Sequence, residues 1–292
     1  MKYAVIDIGS NSVRLLLWAD GCSISKNVIT TRLGEGISFS PRLLPQAMER
    51  TVRAICEFMG TAREFGAQKI YAFATAAVRS AENGNDFIQT VYQNCGIMPE
   101  ILSGKEEAEI GYLGALEGRD GGIIDVGGAS SEITIGKNGK IIYAVSADVG
   151  AVRLKDVCGE DKLRLKKYID EKIAVYGDVP VCPMTLIGGT ATSLAALEYR
   201  VEPYDPKVIH HSILTVEQIG GWAEKLLSMQ QSERLLLKGM DKKRADILGG
   251  GALLLYKILR KIQAEKVSVS EADNTEGYLM KKLRENQNES RD

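Results

Sequence analysis

Ile6-Asp7-Ile8-Gly9-Ser10-Asn11-Ser12 opens the first half of the chain, and Ile124-Asp125-Val126-Gly127-Gly128-Ala129-Ser130 opens the second. Each reads as a strand ending in Asp-x-Gly, then a small polar turn, then another strand (Val13–Leu17; Ser131–Ile135). Glycine allows positive φ and close ligand approach, and successive amides in such a turn make a concave anion site. Ser10, Asn11 and Ser12 add side-chain donors, as do Ser130 and Ser131. Asp7 and Asp125 end buried strands, where a lone carboxylate is costly unless a cation meets it. A hydrated Mg²⁺, which uses one or two carboxylates plus phosphate oxygens, would meet that need. One such turn alone is equally an ordinary hairpin with Asp capping it. Two copies, each opening a half, point to two similar domains facing a central cleft.

The pattern around these turns is α/β. Strands are expected near Tyr3–Ile8, Val13–Ala19, Ser23–Thr31 and Lys69–Ala74, with a short one at Glu100–Leu102. A helix starts near Pro45, a residue suited to the first helical position, and Met48, Val52, Ile55, Met59 and Ala62 give it one buried face. Further helices are expected at Asp86–Asn94 and Lys105–Leu116. The pattern then restarts with strands at Gly121–Asp125, Ser131–Ile135 and Lys140–Val145, a helix over Leu163–Tyr176, a strand at Met184–Ile187 and several later helices. The polar, glycine-rich run Glu117–Gly122 divides the halves, giving domains of 1–118 and 119–292. The polar end, Arg284–Asp292, is expected to fray.

Composition narrows the class. Apolar residues are 45% and charged residues 26%, which suits two globular cores and excludes disorder. The formal net charge of −1 supplies no field to draw in nucleic acid or a membrane, so a polyanionic ligand needs a locally built site. The start, MKYAVIDIGS, reads as a strand and not as a signal peptide, and no apolar run approaches the ~18 residues of a bilayer span. Cys22, Cys56, Cys95, Cys158 and Cys182 are odd in number and lack CxxC spacing, which reads as reduced thiols of a cytoplasmic protein.

With IDIGSNSVRLLL at 6–17, TRLGEGI at 31–37, ATAAVRSAENGNDF at 74–87, LSGKEEAEIGYLGAL at 102–116, IDVGGASSEITIG at 124–136, GGTATSLAAL at 188–197 and KRADILGGGALLL at 243–255, the chain resembles the exopolyphosphatase / guanosine pentaphosphate phosphatase family in its short two-domain form. Each piece is weak alone; in order along nearly the whole chain they are specific. The resemblance implies two ribonuclease-H-like domains of the actin-like ATPase superfold with an interdomain cleft. It implies hydrolysis of a terminal phosphoanhydride, of polyphosphate or of guanosine pentaphosphate, with Mg²⁺ as cofactor, and it allows a homodimer. Glu107 matches the family's catalytic base and Arg79 its phosphate-binding arginine. Asp125, Gly127, Ser130 and Glu132 match its second phosphate and metal loop. From the residues alone, Glu106, Glu107 and Glu109 are equally the acidic first turns of a helix, Arg79 a surface ion pair, and Glu132 a solvent-facing strand residue.

The turn Gly188-Gly189-Thr190 joins a strand to a helix and reads equally as a further anion site, through Gly189 and Thr190, or as tight strand–helix packing. The adjacent His210 and His211 are poor metal ligands and read as loop or capping residues. Lys242, Lys243 and Arg244 form a basic rim or a solvated helix face. Two positions depart from the family pattern: Ala129, where a third glycine is usual, and Thr275, where an arginine is common. Long relatives carry a further helical domain, so the resemblance favours short polyphosphate chains here. An actin-like ATPase or kinase, and a phosphate sensor without turnover, are the other readings.

Overall fold

The computed structural model describes residues 1–289. In the first unit, β1 (Lys2–Ile8), β2 (Ser12–Ala19) and β3 (Cys22–Thr30) are followed by α1 (Pro45–Glu64), β4 (Lys69–Ala74), α2 (Ala76–Ser80), α3 (Gly84–Cys95), β5 (Glu100–Ile101) and α4 (Gly104–Leu116). The strands lie in the order β3-β2-β1-β4-β5, with β1 antiparallel to β2 and parallel to β4, and β4 parallel to β5. Alternation along β1 decides the layering. Ala4, Ile6 and Ile8 face a core shared with α1 and α3, while Val5 faces a second core with Leu16 and Phe73. The helical face predicted for α1 is buried as expected, with Met48 only partly covered.

The second unit repeats the plan. It holds β6 (Gly121–Val126), β7 (Ser131–Lys137), β8 (Lys140–Ala147), α5 (Ala151–Cys158), α6 (Lys162–Ile173), β9 (Met184–Ile187), α7 (Gly188–Glu198), α8 (Pro206–Ile209), β10 (Ile213–Thr215), α9 (Val216–Ser228), α10 (Gln231–Arg234), α11 (Leu248–Lys261) and β11 (Lys266–Val269). Its sheet runs β8-β7-β6-β9-β11, with β10 added antiparallel at the edge. Again the first strand is antiparallel to the second and parallel to the fourth. The echo read in two heptapeptides is therefore a repeat of whole sheets.

The division of the chain differs from the expected one. The second unit spans Ala115–Asp273, and the chain returns at Asn274 to the first. The returning helix, α12 (Asn274–Glu289), covers the second face of the first sheet. Tyr278 stacks on Phe73 with ring centroids 4.6 Å apart, and Leu279 joins the same core. Gly277 makes the crossing close: a Cβ there would lie 1.7 Å from the Ile110 carbonyl oxygen. Helix persists through Arg284–Glu289, where fraying was expected; the rest of that expectation, 290–292, lies outside the described residues.

The cysteine reading is corrected as well. α1 packs along α3, and Cys56 and Cys95 form a disulfide across that contact. Spacing could not show this, because the pairing depends on which helix faces meet. Among the described residues no helix is long and apolar enough to cross a membrane.

Candidate active site

Both phosphate-type turns have the same backbone. The Gly9 amide donates to the Ser12 carbonyl at 3.0 Å, and the Gly127 amide to the Ser130 carbonyl at 3.0 Å. In each, the turn's carbonyls are taken from behind. Amides of Thr31, Arg32 and Gly34, from the TRLGEG segment, donate to Asn11 and Ser10. Amides of Ala151, Val152 and Arg153, at the start of α5, donate to Gly127 and Gly128, and Arg153 Nε donates to the Ala129 carbonyl at 2.9 Å. Among the described residues no hydrogen bond engages the amides of Ser10, Asn11, Gly128, Ala129 or Ser130. The Asn11 side chain is 6% exposed, with neither its Oδ1 nor its Nδ2 bonded. A buried amide without partners is costly unless a ligand supplies them. Ala129 is not among the residues with positive φ, so its Cβ fits where the pattern has glycine.

Glu107 and Arg79 meet in the first unit, beyond the carboxyl ends of β1, β4 and β5, the edge where ligands bind open α/β sheets. The Thr75 amide bonds the Ile8 carbonyl and the Leu102 amide bonds the Ala74 carbonyl, which ties the loops of that edge together. Arg79 Nη1 donates to Glu107 Oε2 and to the Leu102 carbonyl, each at 2.8 Å. The three acids of the SGKEEAE segment have separate tasks. Glu106 closes a capping box with Ser103, and the Ser103 amide holds its carboxyl below the usual range. Glu109 pairs with Lys281 on the surface. Glu107 turns inward and is 8% exposed. Burial raises its carboxyl above the usual range, against the opposing pull of Arg79 and a hydrogen bond from Thr75. Thr75 and the Leu102 carbonyl are partners that the sequence did not single out; Thr75 lies in the ATAAV stretch already marked for Arg79.

The two units differ at the aspartates. Asp7 stands opposite Arg14 across β1–β2, and Arg14 Nη1 lies 3.9 Å from its carboxylate. Arg14 thus puts a cation near Asp7, at more than hydrogen-bond distance. Asp125 stands opposite Glu132 across β6–β7. Directly opposed residues share a face with Cβ atoms about 4.5–5.5 Å apart, so two carboxylates converge there. Glu132 is buried, not solvent-facing, and accepts from Ser146 Oγ at 2.7 Å. Among the described residues no three metal-ligating side chains cluster. Two carboxylates still suit Mg²⁺, which keeps several of its waters.

The Gly188–Thr190 turn serves packing. Gly188 has φ +79°, and a Cβ there would lie 2.4 Å from Asp125 Oδ1. A Cβ on Gly189 would meet the Arg244 guanidinium at 2.0 Å. The Thr190 hydroxyl is buried and donates to the Val126 carbonyl at 2.8 Å, bracing the second turn from beneath. Arg244 thus lies against this turn, also 3.5 Å from Asp241, and is not a solvated rim residue. His210 and His211 stack with ring centroids 3.8 Å apart, and His210 Nδ1 accepts from the Glu271 amide. Thr275 is buried and donates to Glu276.

Twin α/β units with glycine turns of one geometry, and one buried Glu–Arg pair, are the frame of a phosphatase. The profile of the Ppx/GppA phosphatase family matches residues 20–286, and the chain belongs to that family. It is 28% identical to Exopolyphosphatase 2 of Mycobacterium tuberculosis, over 96% of this chain and 98% of that protein. It is 29% identical to a bifunctional 3-dehydroquinate synthase/phosphatase of Fusobacterium nucleatum, over 95% of this chain but only 46% of that protein, less than half its length. The crystal structure of an Aquifex aeolicus Ppx/GppA family member superposes with a TM-score of 0.80 at 29% identity, covering 98% of both chains.

Proposed function

We propose that this phosphatase-family chain removes the terminal phosphate of inorganic polyphosphate by Glu107-assisted attack of water, in the cytoplasm. The buried Glu107–Arg79 pair carries the reading. A carboxylate raised by burial is a better proton acceptor than an exposed one, and the cation beside it opposes the loss of its charge. Glu107 orients a water and takes its proton as the oxygen meets the terminal phosphorus. Arg79 has further donors in its planar fork to offer phosphate oxygens where charge develops. The open amides of the Gly9–Ser12 turn, in the same unit as Glu107 and Arg79, hold non-bridging oxygens. Asp125 and Glu132 would hold a hydrated Mg²⁺, which would neutralise phosphate charge. The likeness to the mycobacterial exopolyphosphatase supports polyphosphate as the substrate.

The test is orthophosphate release, with Mg²⁺, from tripolyphosphate, long-chain polyphosphate, guanosine pentaphosphate and ATP, by wild type and Glu107→Gln. Release from the inorganic chains that falls roughly 10²–10⁴-fold in the variant is the expected result. Release that survives the substitution would remove Glu107 from the mechanism. Turnover of guanosine pentaphosphate alone would replace the substrate and leave the chemistry.

A further inference from the structure

A second basic site lies away from the turns, in the groove that α6, α9 and α11 form within the second unit. Six cations line it against three carboxylates, Asp170, Glu217 and Glu224, in a chain whose formal net charge is −1. Lys257 is held by Asp170 at 2.6 Å, and Lys225 lies over the Trp222 ring. No ion pair or hydrogen bond among the described residues engages the head groups of the other four: Lys162, Lys166, Arg260 and Lys261.

Helix stability accounts for only two of them. Arg260 and Lys261 end α11, where cations favour the helix dipole, but Lys162 opens α6, the end that disfavours them. Four unneutralised cations around one concavity repel each other at a cost that a polyanion removes. Gly221 leaves the α9 wall without a side chain, and a Cβ there would meet nothing within 4 Å.

α11 also links the groove to the phosphate turn. Gly251, in its first turn, packs on Thr190 Cγ2, and Thr190 braces the Gly127–Ser130 turn. Arg260 lies nine residues further on, about 14 Å along the helix.

We infer that this groove binds the stretch of a polyphosphate chain remote from the phosphate being removed. The inference rests on the polyphosphate reading of the active site, and it favours longer chains over the short ones that the resemblance suggested. It predicts a contribution that appears only when the chain is long enough to reach from the turn to the groove.

The test compares wild type with Lys166→Ser/Arg260→Ser/Lys261→Ser, and with Lys166→Arg/Lys261→Arg, which keeps the charge. The neutralised variant is expected to raise KM for long-chain polyphosphate about tenfold near 0.1 M salt, with a shallower salt dependence, and to leave tripolyphosphate kinetics unchanged. The charge-keeping variant should behave as wild type. Equal effects on both chain lengths, or none on either, overturn the inference. Direct binding of long-chain polyphosphate to Glu107→Gln, with and without the three serines, reads the groove independently of turnover. If wild type hydrolyses no polyphosphate, the active-site reading fails, and this binding alone decides the groove. Weaker binding with the serines supports it, and unchanged binding overturns it. A groove that binds RNA of similar charge and not polyphosphate also overturns it.

Discussion

Arg79→Met removes the cation beside Glu107 and keeps an unbranched side chain. Part of the loss is independent of pH, because the Leu102 carbonyl loses its donor, about 1 kcal/mol. The larger part depends on pH. Burial already raises Glu107 above its ordinary value of 4.5, and Arg79 opposes that rise. Without Arg79 the carboxyl rises further, and it can always escape by binding a proton. The pH-dependent penalty at pH 7 therefore cannot exceed the cost of protonating an ordinary carboxyl there. Over the interval from 4.5 to 7, at about 1.36 kcal/mol per pH unit, that is ~3.4 kcal/mol; at pH 5 it is ~0.7. The sign follows from a folded-state value above the unfolded one. The penalty is absent while Glu107 is protonated in both folded proteins, grows as pH rises past the wild type's own raised value, and levels off once the variant's carboxyl ionises. Thermal denaturation of both proteins at pH 5 and pH 7 reads it, at roughly 2–4 °C per kcal/mol. The gap in Tm should widen toward pH 7. A gap that stays constant, or narrows, would refute the claim that Arg79 opposes protonation of Glu107.

Glu132→Gln should raise the Mg²⁺ concentration for half-maximal phosphate release roughly 10–100-fold without lowering metal-free stability, since it relieves repulsion with Asp125; an unchanged Mg²⁺ titration would remove Glu132 from the metal site. Gly188→Ala forces a side chain into positive φ and against the Asp125 carboxylate, and should cost roughly 1–3 kcal/mol in thermal denaturation. An undisturbed Tm would show that the turn gives way there. Cys56→Ser opens a disulfide that spans 39 residues and should cost roughly 2–4 kcal/mol. Reductant should lower wild type by the same amount and leave the variant where it is; reductant acting equally on both would exclude that bridge.

The parts of this protein legible in its sequence are those carried by local pattern. Strand–turn–strand copies, the Pro45 helix start and the apolar stripe of α1 follow from side-chain period and glycine placement, and the structure has them. What depended on distant packing was not legible. The return of α12 to the first sheet rests on Gly277 lying against Ile110 and on Tyr278 stacking against Phe73, contacts over more than 150 residues of chain. The Cys56–Cys95 pairing rests on which faces of α1 and α3 meet. In SGKEEAE the composition announces an acidic helix start, and only the resemblance singled out Glu107. The fold supplies the reason: Ser103 captures Glu106 one position earlier, which leaves Glu107 rotated toward Arg79. The Thr190 hydroxyl bonds the Val126 carbonyl, a contact that local pattern does not show.

The repeat also sets its two aspartates in different surroundings. The two hairpins are superimposable in plan: Asp at the end of the first strand, a turn closed by a Gly amide to a Ser carbonyl at 3.0 Å, and a residue opposite the Asp on the returning strand. At that opposite residue the charge facing the Asp changes sign, Arg14 in one and Glu132 in the other. A guanidinium near the aspartate offsets part of its charge and lessens its demand for a divalent ion. A glutamate doubles the charge and makes the pair unfavourable until a cation arrives. With identical turns, the sign of one cross-strand neighbour is enough to make one hairpin an anion cradle with its own arginine and the other a candidate seat for metal and phosphate together.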